Sequence, residues 1–143
     1  MTASISFPVR YVETDKMGIV HHSHYPVWFE IGRTDLLRQL GKTYASLEEE
    51  GLLLPLTNLR CKYIAPARYG DEITVRTNVE KLTCARIEFA YKIYNHEETL
   101  LTVGGTEHGW TDGKLKPVNL LKKRPELYRI LQASIDGGCG AGK

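Results

Sequence analysis

Ile73-Thr-Val-Arg-Thr-Asn-Val-Glu-Lys-Leu-Thr-Cys-Ala-Arg-Ile-Glu-Phe-Ala-Tyr-Lys-Ile93 is the stretch whose reading decides the fold class. Ile73, Val75, Thr77 and Val79 alternate with Thr74, Arg76, Asn78 and Glu80. Ile87, Phe89, Tyr91 and Ile93 alternate in the same way with Arg86, Glu88, Ala90 and Lys92. A period of two sends one set to each face of a strand, and the short join near Leu82-Thr-Cys84 leaves room only for an antiparallel pair. Downstream, Asn95-His-Glu-Glu98 turns into a strand over Thr99 to Thr111, where Gly104-Gly105 predicts a bulge or a close backbone approach. Asp112-Gly113 is a turn, and Pro125 opens a last helix to about Ser134. Upstream, Leu52 to Ile64 reads as a long strand with Pro55 at its edge or start.

One long helix precedes these strands. Between about Ser23 and Leu40, Tyr25, Trp28, Phe29, Gly32, Leu36 and Leu40 fall on one stripe. Pro26 fits the first turn, Gly41 is the stop, and Gly32 on the apolar stripe lets the helix approach a sheet closely. A second helix, Tyr44 to Glu50, is capped by Thr43 and ends at Gly51. A short strand, Ile5 to Val12, comes first, followed by a polar loop from Glu13 to Gly18. Strand, long helix, then consecutive antiparallel strands is an α+β order, with the helix covered by a curled sheet.

Composition removes whole classes of function. At 143 residues the chain suits one domain, expected over 1–135, with a flexible glycine-rich tail over 136–143. A net charge of +2 is too small for a nucleic-acid binder built on a basic surface. Three cysteines, Cys61, Cys84 and Cys139, form neither a CxxC pair nor an even set for disulfides. No apolar run is long enough for a membrane span and no export signal opens the chain, so the expected location is cytoplasmic.

Chemistry concentrates in Tyr11-Val-Glu-Thr-Asp-Lys-Met-Gly-Ile-Val-His-His-Ser-His-Tyr25. Asp15 lies on a loop, Gly18 permits a sharp turn, and the chain then enters a helix N-terminus whose free amides favour negative charge. A carboxylate beside such donors can attack a carbonyl, although a lone Asp there can equally cap a loop. His21, His22 and His24 invite a metal reading, but none are spaced i, i+4, so no metal site is assigned. Glu13 reads as a solvated strand-end charge, and Glu30 with Arg33, three apart on the helix, as a structural pair. No G-x-S-x-G elbow supports a serine hydrolase.

Asp15-Lys-Met-Gly-Ile-Val-His-His-Ser-His-Tyr25, followed by Trp28-Phe-Glu30 and Arg33-Thr34, resembles the signature of hotdog-fold acyl-CoA thioesterases. The similarity is to the 4-hydroxybenzoyl-CoA thioesterase family and its YbgC-like branch, with an Asp seven residues before a His, a Tyr three later, and FE-x-x-R-T on the helix. Tyr63-Ile-Ala-Pro-Ala-Arg-Tyr-Gly-Asp71 resembles the family's Y-x-x-P-A-x-x-x-D segment. The resemblance spans about residues 5–120 and implies a hotdog fold, a long central helix wrapped by a curled antiparallel sheet.

It also implies roles. Asp15 would be the nucleophile or general base, and the backbone N–H at His22 would polarise the thioester carbonyl, with the His22 ring orienting water or substrate. Gly18, Val20 and Tyr25 would contact substrate, and the depth of the acyl site would depend on side chains such as Trp28, Met17 and Leu56. Arg60, Lys62 and Arg68 would hold coenzyme A phosphates. No cofactor is implied beyond the acyl-CoA substrate, and the chain would form homodimers, often paired as homotetramers, with sites at the subunit interface. The competing readings are a non-catalytic acyl-thioester binder and a hotdog hydratase or dehydratase.

Overall fold

A curled five-stranded antiparallel sheet carries the long helix on its inner face, as seen in a computed structural model that describes residues 1–135 fully. The strands are β1 (Ala3–Pro8), β2 (Leu56–Tyr63), β3 (Glu72–Leu82), β4 (Arg86–Tyr94) and β5 (Leu100–Gly109), in the spatial order β1-β3-β4-β5-β2. The helices are α1 (Tyr25–Gln39), α2 (Tyr44–Glu49), α3 (Leu120–Lys123) and α4 (Pro125–Gly142). The expected tail, 136–143, lies outside the fully described residues. No helix among the described residues is long and apolar enough to cross a membrane.

The alternation that decided the fold class is realised in β3 and β4, where Ile73, Val75, Thr77, Val79, Ile87, Phe89, Tyr91 and Ile93 are all buried. They face α1, which buries Trp28, Phe29, Leu36 and Leu37 against β1, β3 and, to a smaller extent, β4. Burying one such side chain contributes about 2 kcal/mol, so this layer supplies a large share of the apolar stabilisation. A Cβ on Gly32 would stand 2.4 Å from Thr77 Oγ1, so glycine sets how closely α1 can lie on β3. At Gly104-Gly105 the β4–β5 register runs without a shift, and the glycines serve close approach. A Cβ on Gly104 would meet the Phe29 ring at 2.5 Å, and one on Gly105 the Arg60 guanidinium at 2.5 Å.

Several boundaries move. β1 stops at Pro8, and Tyr11–Glu13 forms a 3-10 turn that takes in Tyr11 and Val12, expected as the end of the strand. The pairing of β1 with β3 ends at Pro8 opposite Glu72, so no ladder remains to hold the later residues extended. β2 begins at Leu56, just after Pro55, while Leu53 makes an isolated bridge to Thr111. The long helix is preceded by a separate 3-10 turn, His22–His24, and Pro26 sits in the first turn of α1. The sequence reading missed α3, a single turn capped by Asn119, whose Oδ1 accepts from Lys122 N at 3.1 Å.

Candidate active site

The segment between β1 and α1 folds back on itself. Thr14 bridges Val20, with Asp15 N donating to Ile19 O at 2.9 Å and His21 N to Glu13 O at 2.9 Å. Gly18 closes the turn with φ +79, a left-handed conformation that glycine adopts without strain, and its N–H donates to Asp15 O at 3.0 Å. The other side of this small hairpin is held by the loop after β2. Ile19 bridges Arg68, and Val20 N donates to Ala67 O at 2.9 Å.

Asp15 is thereby held in a fixed pose. Its Oδ1 accepts from Met17 N at 2.8 Å, and Oδ2 has no partner among the described residues. The carboxylate is therefore oriented through one oxygen and keeps the other free of protein donors among the described residues.

Glu13 corrects the expectation of a solvated charge. It is 2% exposed and accepts from Arg10 N at 2.8 Å, Trp28 Nε1 at 3.0 Å and the Arg10 guanidinium at 3.3 Å. Burial pushes its pKa up, but the Arg10 amide, the indole and the guanidinium together outweigh that and hold it below the usual value. This carboxylate ties the approach to the site onto α1. Period-two reading of the strand end could not show this, because the partner is an indole fifteen residues on.

The turn that carries His22 is capped by His21, whose Nδ1 accepts from Ser23 N at 3.3 Å and lies 2.9 Å from Ser23 Oγ. Its ring stands 4.1 Å from that of His22 and 6.5 Å from that of His24. His22 N opens the turn without a hydrogen-bond partner among the described residues, and His22 O receives the Tyr63 hydroxyl at 3.2 Å. Tyr25 is 3% exposed, with its ring edge-on to Trp28 and Tyr63 at 5.0 Å each, and burial pushes its hydroxyl pKa up. The Tyr63 hydroxyl is pushed up to about 12, by burial first and then by Cys61, so it remains a donor at neutral pH.

These groups surround one cavity of about 400 Å³, whose wall includes Asp15, Met17, Val20, His22, Tyr25 and Tyr63. Gly18 shapes the turn without lining the cavity. Trp28 is fully buried behind Tyr25, and Leu56 lies exposed on β2 away from the wall. Arg60 and Lys62 point from β2 to the outer face of the sheet, where with Lys92 they border a separate cavity of about 540 Å³. Arg68 stays in the loop against Ile19, so the three expected phosphate contacts do not form one cluster within the chain.

Arg33 does not pair with Glu30. Its Nε donates to Tyr44 OH at 2.9 Å and its NH1 to Tyr91 OH at 3.4 Å, which ties α1 to α2 and β4. Tyr63 carried no role in the sequence reading. The period of two along β2, which puts Leu59, Cys61 and Tyr63 on the inner face, was the available signal.

Comparison with known proteins gives the chain its relatives. Residues 17–102 match the 4HBT family, described as the thioesterase superfamily. A putative acyl-CoA thioesterase of Bacillus subtilis, YneP, is 37% identical over 121 residues, covering 84% of this chain and 88% of its own. The acyl-CoA thioesterase YbgC of Haemophilus influenzae is 34% identical over 131 residues, covering 89% and 96%. The crystal structure of a DHNA-CoA thioesterase from Staphylococcus aureus superposes with a TM-score of 0.91 at 32% identity, covering 99% of this chain and 95% of that one.

Proposed function

The chain belongs to the thioesterase superfamily, and from that premise we propose that it hydrolyses acyl-CoA thioesters to a carboxylic acid and free coenzyme A. The observation that carries this reading is one cavity shared by a carboxylate with a free oxygen, an unpaired amide at a helix approach, and an apolar wall.

The acyl group lies against Met17, Val20 and Tyr25, with its carbonyl oxygen toward His22 N. Asp15 Oδ2 either takes a proton from water as the water oxygen bonds to the carbonyl carbon, or bonds to that carbon itself to give an anhydride that water then opens. In both cases the carbon–sulfur bond breaks, and the thiolate leaves and takes up a proton. Negative charge builds on the carbonyl oxygen in the transition state, where a donor such as His22 N can contribute about 3 kcal/mol. The His22 ring, exposed at the mouth, orients water or substrate.

Two further parts of the reading rest on assembly. The exposed inner face of β2 suits a homodimer, and such dimers can pair into tetramers. Arg60 and Lys62, turned away from their own Asp15, would meet coenzyme A phosphates only at a site shared between subunits. The protein works in the cytoplasm, where acyl-CoA is available.

The test is thiol release from a panel of short, long, branched and aromatic acyl-CoAs. Asp15→Asn should lower the rate by at least about a hundredfold, with the fold retained by circular dichroism. An unchanged rate would reject Asp15 as the reacting group.

A further inference from the structure

The segment Tyr63–Asp71 resembles a family motif, yet the hydrolytic chemistry leaves it without a task. Its placement supplies one. Ile64, Ala65 and Pro66 wall the cavity, Ala67 O accepts from Val20 N at 2.9 Å, and Arg68 bridges Ile19. Asp71 Oδ2 accepts from Arg68 N at 2.9 Å and so holds that loop in shape. At its head, the Tyr63 hydroxyl donates to His22 O at 3.2 Å across 41 residues of chain.

His22 O and His22 N belong to successive peptide units, each a rigid plane. The plane that carries His22 N also carries His21 O, which accepts from His24 N at 3.1 Å within the turn. The plane before it is fixed by His21 N donating to Glu13 O, and the plane after it by Tyr25 N and the Tyr63 hydroxyl, which both donate to His22 O. The His22 amide, on a residue that lines the cavity, therefore sits between two anchored planes. One anchor is local and made by the backbone. The other joins the first amide of α1 to a side chain from the edge strand, and Tyr63 is the part of it that comes from outside the turn.

The geometry points to Tyr63 as a positioning residue: its hydroxyl, through His22 O, aims the His22 amide at the carbonyl oxygen of the thioester. This deepens the proposed hydrolysis and rests on it. The ring packs edge-on against Tyr25 at 5.0 Å, so removing only the hydroxyl leaves the cavity wall in place and isolates the clamp. A donor that is less well aimed weakens a bond that matters chiefly when charge develops on the substrate oxygen. The loss falls on kcat and spares ground-state binding.

Tyr63→Phe tests this in the full chain with the best acyl-CoA of the panel. Expected are a kcat lower by about tenfold, an unchanged KM, and unchanged affinity for a thioether analogue of that substrate, which lacks the thioester carbonyl. Backbone amides of residues 22–24 should exchange faster with deuterium, while those of β3 and β4 do not change. An unchanged kcat in an active enzyme overturns the proposal, as does a parallel loss of kcat and thioether binding, which would make Tyr63 a plain wall. Tyr63→Trp, which keeps a ring and moves the donor, should not restore kcat, and full restoration would also overturn it. A wild-type chain with no turnover rejects hydrolysis itself, a different outcome. The clamp is then decided by exchange, and unchanged exchange in Tyr63→Phe overturns it.

Discussion

The two halves of the sheet differ in what covers their inner face. Under α1, the inner residues of β1, β3 and β4 are packed so closely that Gly32 leaves no room for a methyl group. On β2, at the far edge, α1 touches the inner face through Tyr25 on Tyr63 at 5.0 Å but leaves Leu59 at 41% and Tyr63 at 49% exposure. The same period of two therefore means different things along one sheet. Where a helix lies over it, the inner set is a core. Where that cover is partial, the inner set is left open to a cavity or a partner, and it is here that Tyr63 meets His22. Substitutions in the covered half should appear in stability, and those in the uncovered half in turnover or association.

The largest effect is expected from protons in the covered half. His108 is 1% exposed, with Nδ1 3.1 Å from Leu54 O and Nε2 2.9 Å from Thr106 Oγ1. Tyr91 OH lies 2.6 Å from the same Thr106 oxygen, and Arg33 donates to Tyr91 OH, so a directed chain runs from the guanidinium to Leu54 O. In that chain Nε2 accepts, and the ring is neutral. Burial first, then the Arg33 charge, lowers the His108 pKa from 6.5 to about 4. Between those values the unfolded chain binds more protons than the folded one, so stability falls as pH drops from 6.5 to 4 and this contribution levels off below. Over that window the loss is about 3 kcal/mol. Urea unfolding at pH 7 and pH 4 should show it in the wild type, and His108→Gln should remove most of the difference. A wild-type slope that His108→Gln leaves intact would place the titrating group elsewhere. Glu13, with its pKa lowered, adds stability that persists above the carboxylate range and is lost only as pH falls through it.

Next in size is Gly104→Ala, expected to cost about 2 kcal/mol in the same assay. Its Cβ would push on Phe29, which is stacked on Tyr91 at 4.3 Å, and on Arg60 O, a backbone atom 2.6 Å away. Gly109 on the same strand is the control, since a Cβ there meets only Thr57 Cγ2 at 3.9 Å. Gly109→Ala should change stability by less than about 0.5 kcal/mol. Equal effects at the two positions would mean that α1 is not pressed onto β5 as described.

Much of this is legible in the sequence. The alternation from Ile73 to Ile93, the stripe from Tyr25 to Leu40 and the turns after Gly41 and Gly51 specify helix and strands locally, since each depends on neighbours a few residues away. Gly32 could be read as a close approach because glycine on an apolar stripe has few other uses. What escaped depends on distant partners. Glu13 looked solvated because nothing nearby in sequence announces the Trp28 indole. Arg33 seemed to belong to Glu30 by spacing, yet two tyrosines, one on α2 and one on β4, outbid that exposed carboxylate. Arg60, Lys62 and Arg68 looked like a cluster because they are near in sequence. A strand sends Arg60 and Lys62 to its outer face, while Arg68 lies beyond the strand end. Asp15 and His22, which the motif singles out, line one cavity. The hold of Tyr63 on His22 spans two elements and was not legible.

The smallest expected effect on the chain itself is at Leu59, and it sharpens the comparison most. Leu59 points to the inner face of β2 opposite Thr106, a position that in the covered half would be core. Leu59→Thr keeps a residue suited to a strand and removes apolar surface that this chain leaves partly in water. The cost in urea at concentrations where the chain is monomeric should be below about 1 kcal/mol. In a homodimer that covers β2, the same change should raise the dissociation constant by about tenfold, read by sedimentation equilibrium, because the surface is buried only on association. A loss above about 2 kcal/mol in the monomer would instead mean that some part of this chain already covers the strand. An unchanged dissociation constant would move the subunit contact away from β2, and Arg60 and Lys62 would then lose their route to a shared site.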